Sequence, residues 1–113
     1  MAHSVIIWNI AQSSMSGGSW NDQIICTLRK DGTFSLQPRQ RGDDFGTRSM
    51  AGTTRIRSPQ VFVQALIDRA DCRFNYEIHP KDIVDEICPK LDELDLKFSR
   101  EIRTYIGTLD GKV

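Results

Sequence analysis

Five side chains in this sequence have the sulfur or imidazole chemistry that metals and nucleophilic catalysis use: Cys26, Cys72, Cys88, His3 and His79. Structural zinc sites are built from close ligand pairs, two to four residues apart. Cys72, His79 and Cys88 are separated by seven and nine residues, so no such pair exists. The spacing therefore calls for no metal and no cofactor. The cysteines read as buried structural thiols and His79 as a helix-start residue. Nucleophilic catalysis needs a nucleophile, a base and an orienting group brought together in space. No serine lies in a nucleophile-elbow pattern. The expectation is a protein that is not an enzyme. A small enzyme with a Cys/His site is the third reading, and it requires the fold to bring His79 to a cysteine.

The carboxylates and glycines lead no further. Asp82, Asp85 and Glu86 share one helix face, but that face lies opposite an apolar stripe, where an amphipathic helix places its charges. The rhythm of a calcium loop is missing. Gly42, Gly46 and Gly52 lack the lysine and Ser/Thr of a phosphate-binding loop. No strand-to-helix crossover carries the dinucleotide fingerprint. Arg41-Gly42-Asp43 spells an adhesion tripeptide, a three-residue match that chance supplies often.

What remains is arginine. The net charge is zero, yet residues 29–57 carry seven basic and three acidic side chains, while residues 58–113 carry eight basic and eleven acidic ones. Arg39, Arg41, Arg48, Arg55 and Arg57 interleave with Phe45 in a stretch without apolar period. A guanidinium forks onto carboxylate or phosphate, and an aromatic ring stacks on a base or fills a protein pocket. Arginine and aromatic residues are also what protein-binding hot spots favour. The expected partner-binding set is Arg39, Arg41, Phe45, Arg48, Arg55 and Arg57, with Trp20 from the second irregular segment, Ser13 to Trp20. The function expected first is a noncatalytic macromolecule-binding protein, a small protein-binding inhibitor or adaptor; a bacterial or phage inhibitor of a defence complex is one member of that class. The alternative is an RNA- or DNA-binding module using the same basic stretch. Against both stands a solvated connection with no role.

These residues must be positioned by one domain's worth of structure. The chain has 113 residues, of which 39% are hydrophobic, enough for a core without disulfides. Three widely spaced cysteines are not a disulfide framework and fit a reducing, cytoplasmic setting. No apolar run approaches a membrane span, so no membrane partner is expected.

Val5 to Ile10 reads as a buried strand. Residues 23–37 read as a β-hairpin. A three-residue Lys30-Asp31-Gly32 turn pairs Leu28 with Phe34 and Cys26 with Leu36. It puts Ile24, Cys26, Leu28, Phe34 and Leu36 on one face, whereas a two-residue turn would send one strand's apolar set to solvent. Residues 38–57 read as a long basic loop, with Thr53 to Arg57 as an alternative edge strand. Ser58-Pro59 starts a helix, capped by Ser58, that runs to about Ala70. Cys72, Phe74, Tyr76 and Ile78 alternate with polar residues and predict a half-buried strand. His79-Pro80 opens a second helix with a kink or break at Pro89. A last helix carries Phe98, Ile102, Tyr105, Ile106 and Leu109 and ends at Gly107 or Gly111. The fold class expected is α+β: a small antiparallel sheet of strand, hairpin and later strand, with two to three helices on one face.

Overall fold

The computed structural model describes residues 3–13, 18–42, 46–49, 52–74 and 76–109. It is an α+β fold in two layers. Strands β1 (His3–Ser13), β2 (Ser19–Leu28), β3 (Phe34–Gly42), β4 (Gly46–Ser49) and β5 (Thr54–Ile56) form one antiparallel sheet. Its order is β1-β2-β3-β4, with β5 also paired to β3. Helices α1 (Pro59–Phe74), α2 (80–91) and α3 (Leu96–Leu109) follow. No described helix is long and apolar enough to cross a membrane.

The β2–β3 hairpin takes the expected register, with Leu28 opposite Phe34 and Cys26 opposite Leu36. Its turn closes through Gly32 N–H to Arg29 O at 3.0 Å and Arg29 N–H to Thr33 O at 2.9 Å. Gly32 sits at φ +82°, the left-handed region that a glycine enters without steric cost. Asp31 braces the turn by accepting from the Thr33 hydroxyl at 2.6 Å and the Thr33 N–H at 3.0 Å.

Strand β1 is longer than the apolar run that signals it, and it carries a bulge. Ile6 pairs with Ile25 and Trp8 with Ile24, which leaves Ile7 as the extra residue. A bulge breaks the strict alternation of faces. Ile7 and Trp8 therefore both turn toward the helices, Ile7 fully buried and Trp8 edge-on to Tyr76.

Three expectations are corrected. The stretch 38–57 is not one long loop: β3 runs on to Gly42, and β4 and β5 both lie within it. Pro38 hid this, because a proline in mid-strand reads as a break. It stands where β3 changes partner, β5 pairing with residues 34–36 and β4 with residues 39–42. Ser13, Ser19 and Trp20 likewise belong to strands, with Ser13 opposite Ser19. Second, no strand forms among the described residues of 72–78. With no glycine or proline from Asp71 to Phe74, α1 continues to Phe74, and the N–H of Tyr76 then returns to Ala70 O at 3.0 Å. The alternation of Tyr76 and Ile78 marks burial against the core, and Cys72 lies exposed on the helix. Third, of the kink or break expected at Pro89 there is no break: the second helix runs through, and its irregularity is a widened turn just before the proline. The helix starts as an α-turn, Pro80–Asp82, widens to a π-helical segment at Ile83–Ile87 and resumes at Cys88–Leu91. The Cys88 N–H reaches back five residues to Ile83 O. The wider turn gives the ring of Pro89 room that an α-turn denies it.

Helix starts differ in their caps. The Ser58 carbonyl accepts the Phe62 N–H at 2.9 Å, but its hydroxyl donates to Gln60 Oε1, so the expected hydroxyl cap is replaced by a side-chain pair. Helix α3 is capped by Asp95, whose carboxylate accepts the Phe98 N–H at 3.0 Å. It passes through Gly107 to Leu109, which is exposed; Gly111 lies outside the described residues.

The core lies between the layers. Phe34 stacks on Phe98 at 4.6 Å between centroids, and Phe62 meets both edge-on. Ile24, Cys26 and Leu36 from the sheet, and Leu66, Ile83, Leu91 and Ile102 from the helices, are fully buried around them.

Candidate partner-binding face of the sheet

In antiparallel pairs, directly opposed residues share a face. The registers therefore sort every strand residue. Apart from Ile7 at the bulge, the helix-packed face takes Val5, Trp8, Ile24, Cys26, Leu28, Phe34 and Leu36. The other face is built of four cross-strand rows. They read Ser4–Thr27–Ser35–Arg55, then Ile6–Ile25–Gln37, then Asn9–Gln23–Arg39–Ser49, then Ala11–Asn21–Arg41–Thr47. No row contains a carboxylate. The only acid in the five strands, Asp22, sits on the helix side, buried, and accepts from Gln40 Nε2 at 3.3 Å.

The rows are graded. Their β1 side is small or apolar and exposed, at Ser4, Ile6, Asn9 and Ala11. Their centre is covered: Gln23, Ile25 and Ser35 are buried. Arginines occupy the β3 and β5 side. Ser4 and Thr27 hydroxyls meet at 2.9 Å. Arg29, beside the turn, donates to Ser35 Oγ at 3.4 Å. The Nε atoms of Arg29 and Arg39 are buried and have no hydrogen-bond partner among the described residues. Their aliphatic stems thus lie along the sheet, as long cationic side chains do over apolar ground. A shallow depression of about 240 Å³ opens between Ile6, Ile25, Thr27, Gln37 and Arg39.

This geometry divides the residues that the sequence groups together. Arg39, Arg41 and Arg55 hold register positions on the open face. Arg48 does not: it pairs with Gln40, in the row of Ile10 and Asp22 on the helix side. Trp20 pairs with Gly42 at the far end of the same side and is half-buried. Phe45 lies outside the described residues. Arg57 already has internal work. Its guanidinium lies 5.4 Å from the Phe98 ring centroid and 6.0 Å from that of Phe34, and it bonds Asp95 at 2.9 Å. Sequence reasoning missed Ser4, Ile6, Gln23, Ile25, Thr27 and Gln37. Their signal was present in the hairpin register, since whatever packs on the helices leaves its neighbours on the other side.

The groups with catalytic chemistry sit in unlike places. Cys26 is buried in the core, which pushes its thiol up to about 12. Cys88 is buried against Ser99, and that burial likewise raises its pKa. His79 and Glu77 form an exposed pair at 3.5 Å. Among the described residues, no three of His, Cys, Asp and Glu group to hold a metal. Other hollows flank the helices, among them one of about 310 Å³ where Val5 faces Lys90 and Glu93. An open groove of about 910 Å³ between the start of α1 and the outer side of α3 carries both signs of charge, Lys97 and Arg100 beside Glu101. A trough of about 480 Å³ between β1 and α2 does too, with Glu77, Asp82 and Glu86 facing Lys90. Only the open sheet face, among these described surfaces, is of one sign. No family model matches the chain, nor does any curated protein or solved structure.

Proposed function

We propose that the chain is a noncatalytic protein-binding module of the inhibitor or adaptor kind, and that it engages its partner through the open face of the sheet. The observation that carries this reading is the placement of Arg39, Arg41 and Arg55 on four rows that hold no carboxylate. A face of one sign steers and orients an oppositely charged partner, and like charge repels the wrong ones. The helices lie on the other side, so nothing in the described layer competes for it.

The same arginines would suit nucleic acid, which is the second reading. Sheet platforms that bind single strands hold their bases on aromatic rings. The four rows contain none, and offer the apolar pair Ile6–Ile25 instead. That contrast favours protein.

Paired affinity capture from the source cells tests the proposal, with the native chain, Arg39→Ala/Arg41→Ala/Arg55→Ala and a helix-layer control, Lys97→Ala/Arg100→Ala, as baits. A partner held by the native chain and the control should weaken at least tenfold on the triple variant, about 1.4 kcal/mol. Full retention by the triple variant would move the site to the groove beside Leu96. Recovery of nucleic acid, lost steeply with salt, would install the second reading.

A further inference from the structure

We infer that the partner presents an extended segment whose carboxylate and apolar side chains alternate, laid along β3 on the open face. This rests on the reading above and names the chemistry that would satisfy it.

Successive rows are two residues apart along each strand, about 7 Å. Arg39 and Arg41 occupy adjacent rows on one strand, so their register positions repeat at that interval. Alternate side chains of an extended partner repeat at the same interval, which brings carboxylates into step with both. Arg55, two rows from Arg39 and one strand over, lies about 14 Å from it by the same spacings. That is a second period of the same repeat. The rows supply no carboxylate of their own; Asp31 in the hairpin turn acts on Arg55 through space but lies outside the rows.

The charge is not the whole site. Beside Arg39 lies the depression floored by Ile25 and walled by Ile6, whose side chain stays 40% exposed. An apolar side chain from the partner would cover Ile6 there. The Arg39 Nε is a buried donor with nothing to give its proton to among the described residues. That buried Nε fixes the inner end of the side chain against the sheet, and a carboxylate is the strongest acceptor a protein offers to a guanidinium. Around these groups stand Gln37, Thr27 and Ser4, which both donate and accept and so can meet an extended backbone.

The test is a chemical-shift titration of the full chain with three probes: the capped pentapeptide Glu-Val-Glu-Val-Glu, its counterpart Lys-Val-Lys-Val-Lys, and pentathymidylate. The acidic peptide should give saturable shifts confined to β1, β2, β3 and β5. It should bind at least tenfold more tightly than either other probe. Arg39→Ala should weaken it about tenfold, and Arg39→Lys should fail to restore it, since an ammonium lacks the fork. Absence of saturable shifts, shifts confined to the helices, or equal binding of pentathymidylate would each overturn the inference. The two levels fail separately. A captured partner that depends on the three arginines, with an inert acidic peptide, sinks this chemistry and leaves the binding face standing. A partner indifferent to the arginines sinks the face itself.

Discussion

The two faces of one sheet divide the labour of this molecule. On the helix side Ile24, Cys26, Phe34 and Leu36 are fully buried, in one core cluster with residues of all three helices. On the open side the same strands carry hydroxyls, amides, arginines and one apolar pair. Adjacent residues on a strand thus serve different ends. Phe34 and Leu36 hold the layers together, while Ser35 and Gln37, alternating with them, take register positions on the other face. Hydrophobic burial scales with apolar area removed from water, so nearly all of the sheet's contribution to stability belongs to one face. The other face is free to carry charge that folding does not need.

The sharpest way to break this contrast is to exchange neighbours across it. Phe34→Ala removes a ring stacked on Phe98 and edge-on to Phe62. Core Phe→Ala changes cost about 3–5 kcal/mol. Gln37→Ala, three residues on and half-buried on the open face, should stay within about 0.5 kcal/mol, as surface changes do. Urea denaturation measures both. Equal losses would mean that the open face is part of the core.

The turn that sets the two faces is the next largest lever. A Cβ on Gly32 would meet nothing within 4 Å, so the strain there is in the backbone alone, at φ +82°. Gly32→Val should therefore cost about 1–3 kcal/mol, the range for strained backbone sites. Gly32→Asn should recover most of it, because asparagine tolerates the left-handed region. A denaturation midpoint unmoved by valine would show that the turn can be built another way and the faces set without it.

How far the sequence discloses this arrangement depends on which signal each segment carries. The hairpin was legible because alternation and a turn glycine agree, and only one register keeps five apolar residues on one side. The start of α1 was legible from Ser58-Pro59 and a helical stripe. In the 38–57 stretch only β5 was legible, as the Thr53 to Arg57 edge strand; β4 is a short strand without apolar rhythm and Pro38 interrupts β3. The 72–78 stretch misled for the opposite reason. Its alternation is real, but Tyr76 and Ile78 achieve burial from an irregular segment, while Cys72 and Phe74 end a helix. For the candidate site, composition alone picks out the arginines. It does not say that Arg48 and Arg55 fall on opposite faces, since that follows from pairings between strands that composition does not reveal.

Arg57 sharpens the comparison at a border. It is one residue past β5 and chemically like Arg55, yet it sits over two core rings and bonds Asp95, whereas Arg55 is exposed. Arg57→Ala should cost about 1 kcal/mol, from a cation–π contact and a partly exposed ion pair. The pair also gives stability a pH signature. Burial opposes ionisation of Asp95, but the Phe98 N–H and Arg57 outweigh it and hold its pKa below the usual 3.8. Asp92 and Asp31 are lowered too, chiefly by hydrogen bonds from Arg103 and Thr33. Where the folded pKa lies below the unfolded one, the unfolded chain binds more protons, so stability rises with pH between them. These contributions are complete above 3.8 and fade as pH falls through the lowered values. Denaturation midpoints across that range should fall toward acid, and less steeply in Asp95→Asn. The same slope in that variant would remove Asp95 from the account.

The smallest expected effect decides whether the open face is functional surface or thin structure. Arg55→Ala removes an exposed side chain and should leave the melting temperature within error, since isolated surface charges contribute about 0–1 kcal/mol. Arg39 differs. Its Nε is buried against the sheet, and the neighbouring Ile25 is only 7% exposed although it faces away from the helices. The stem therefore shields apolar area, and truncating it should cost up to about 1 kcal/mol through lost packing rather than lost charge. Arg39→Met separates the two. An unbranched thioether fills irregular apolar ground much as the stem does, so Met should restore the stability that Ala loses. It brings no guanidinium, so it should bind the acidic peptide no better than Ala does. A surface that exists to bind shows that split, stability following the stem and affinity following the fork. Recovery of both by Met would reduce the arginine to a spacer, and the open face to a second, shallower core.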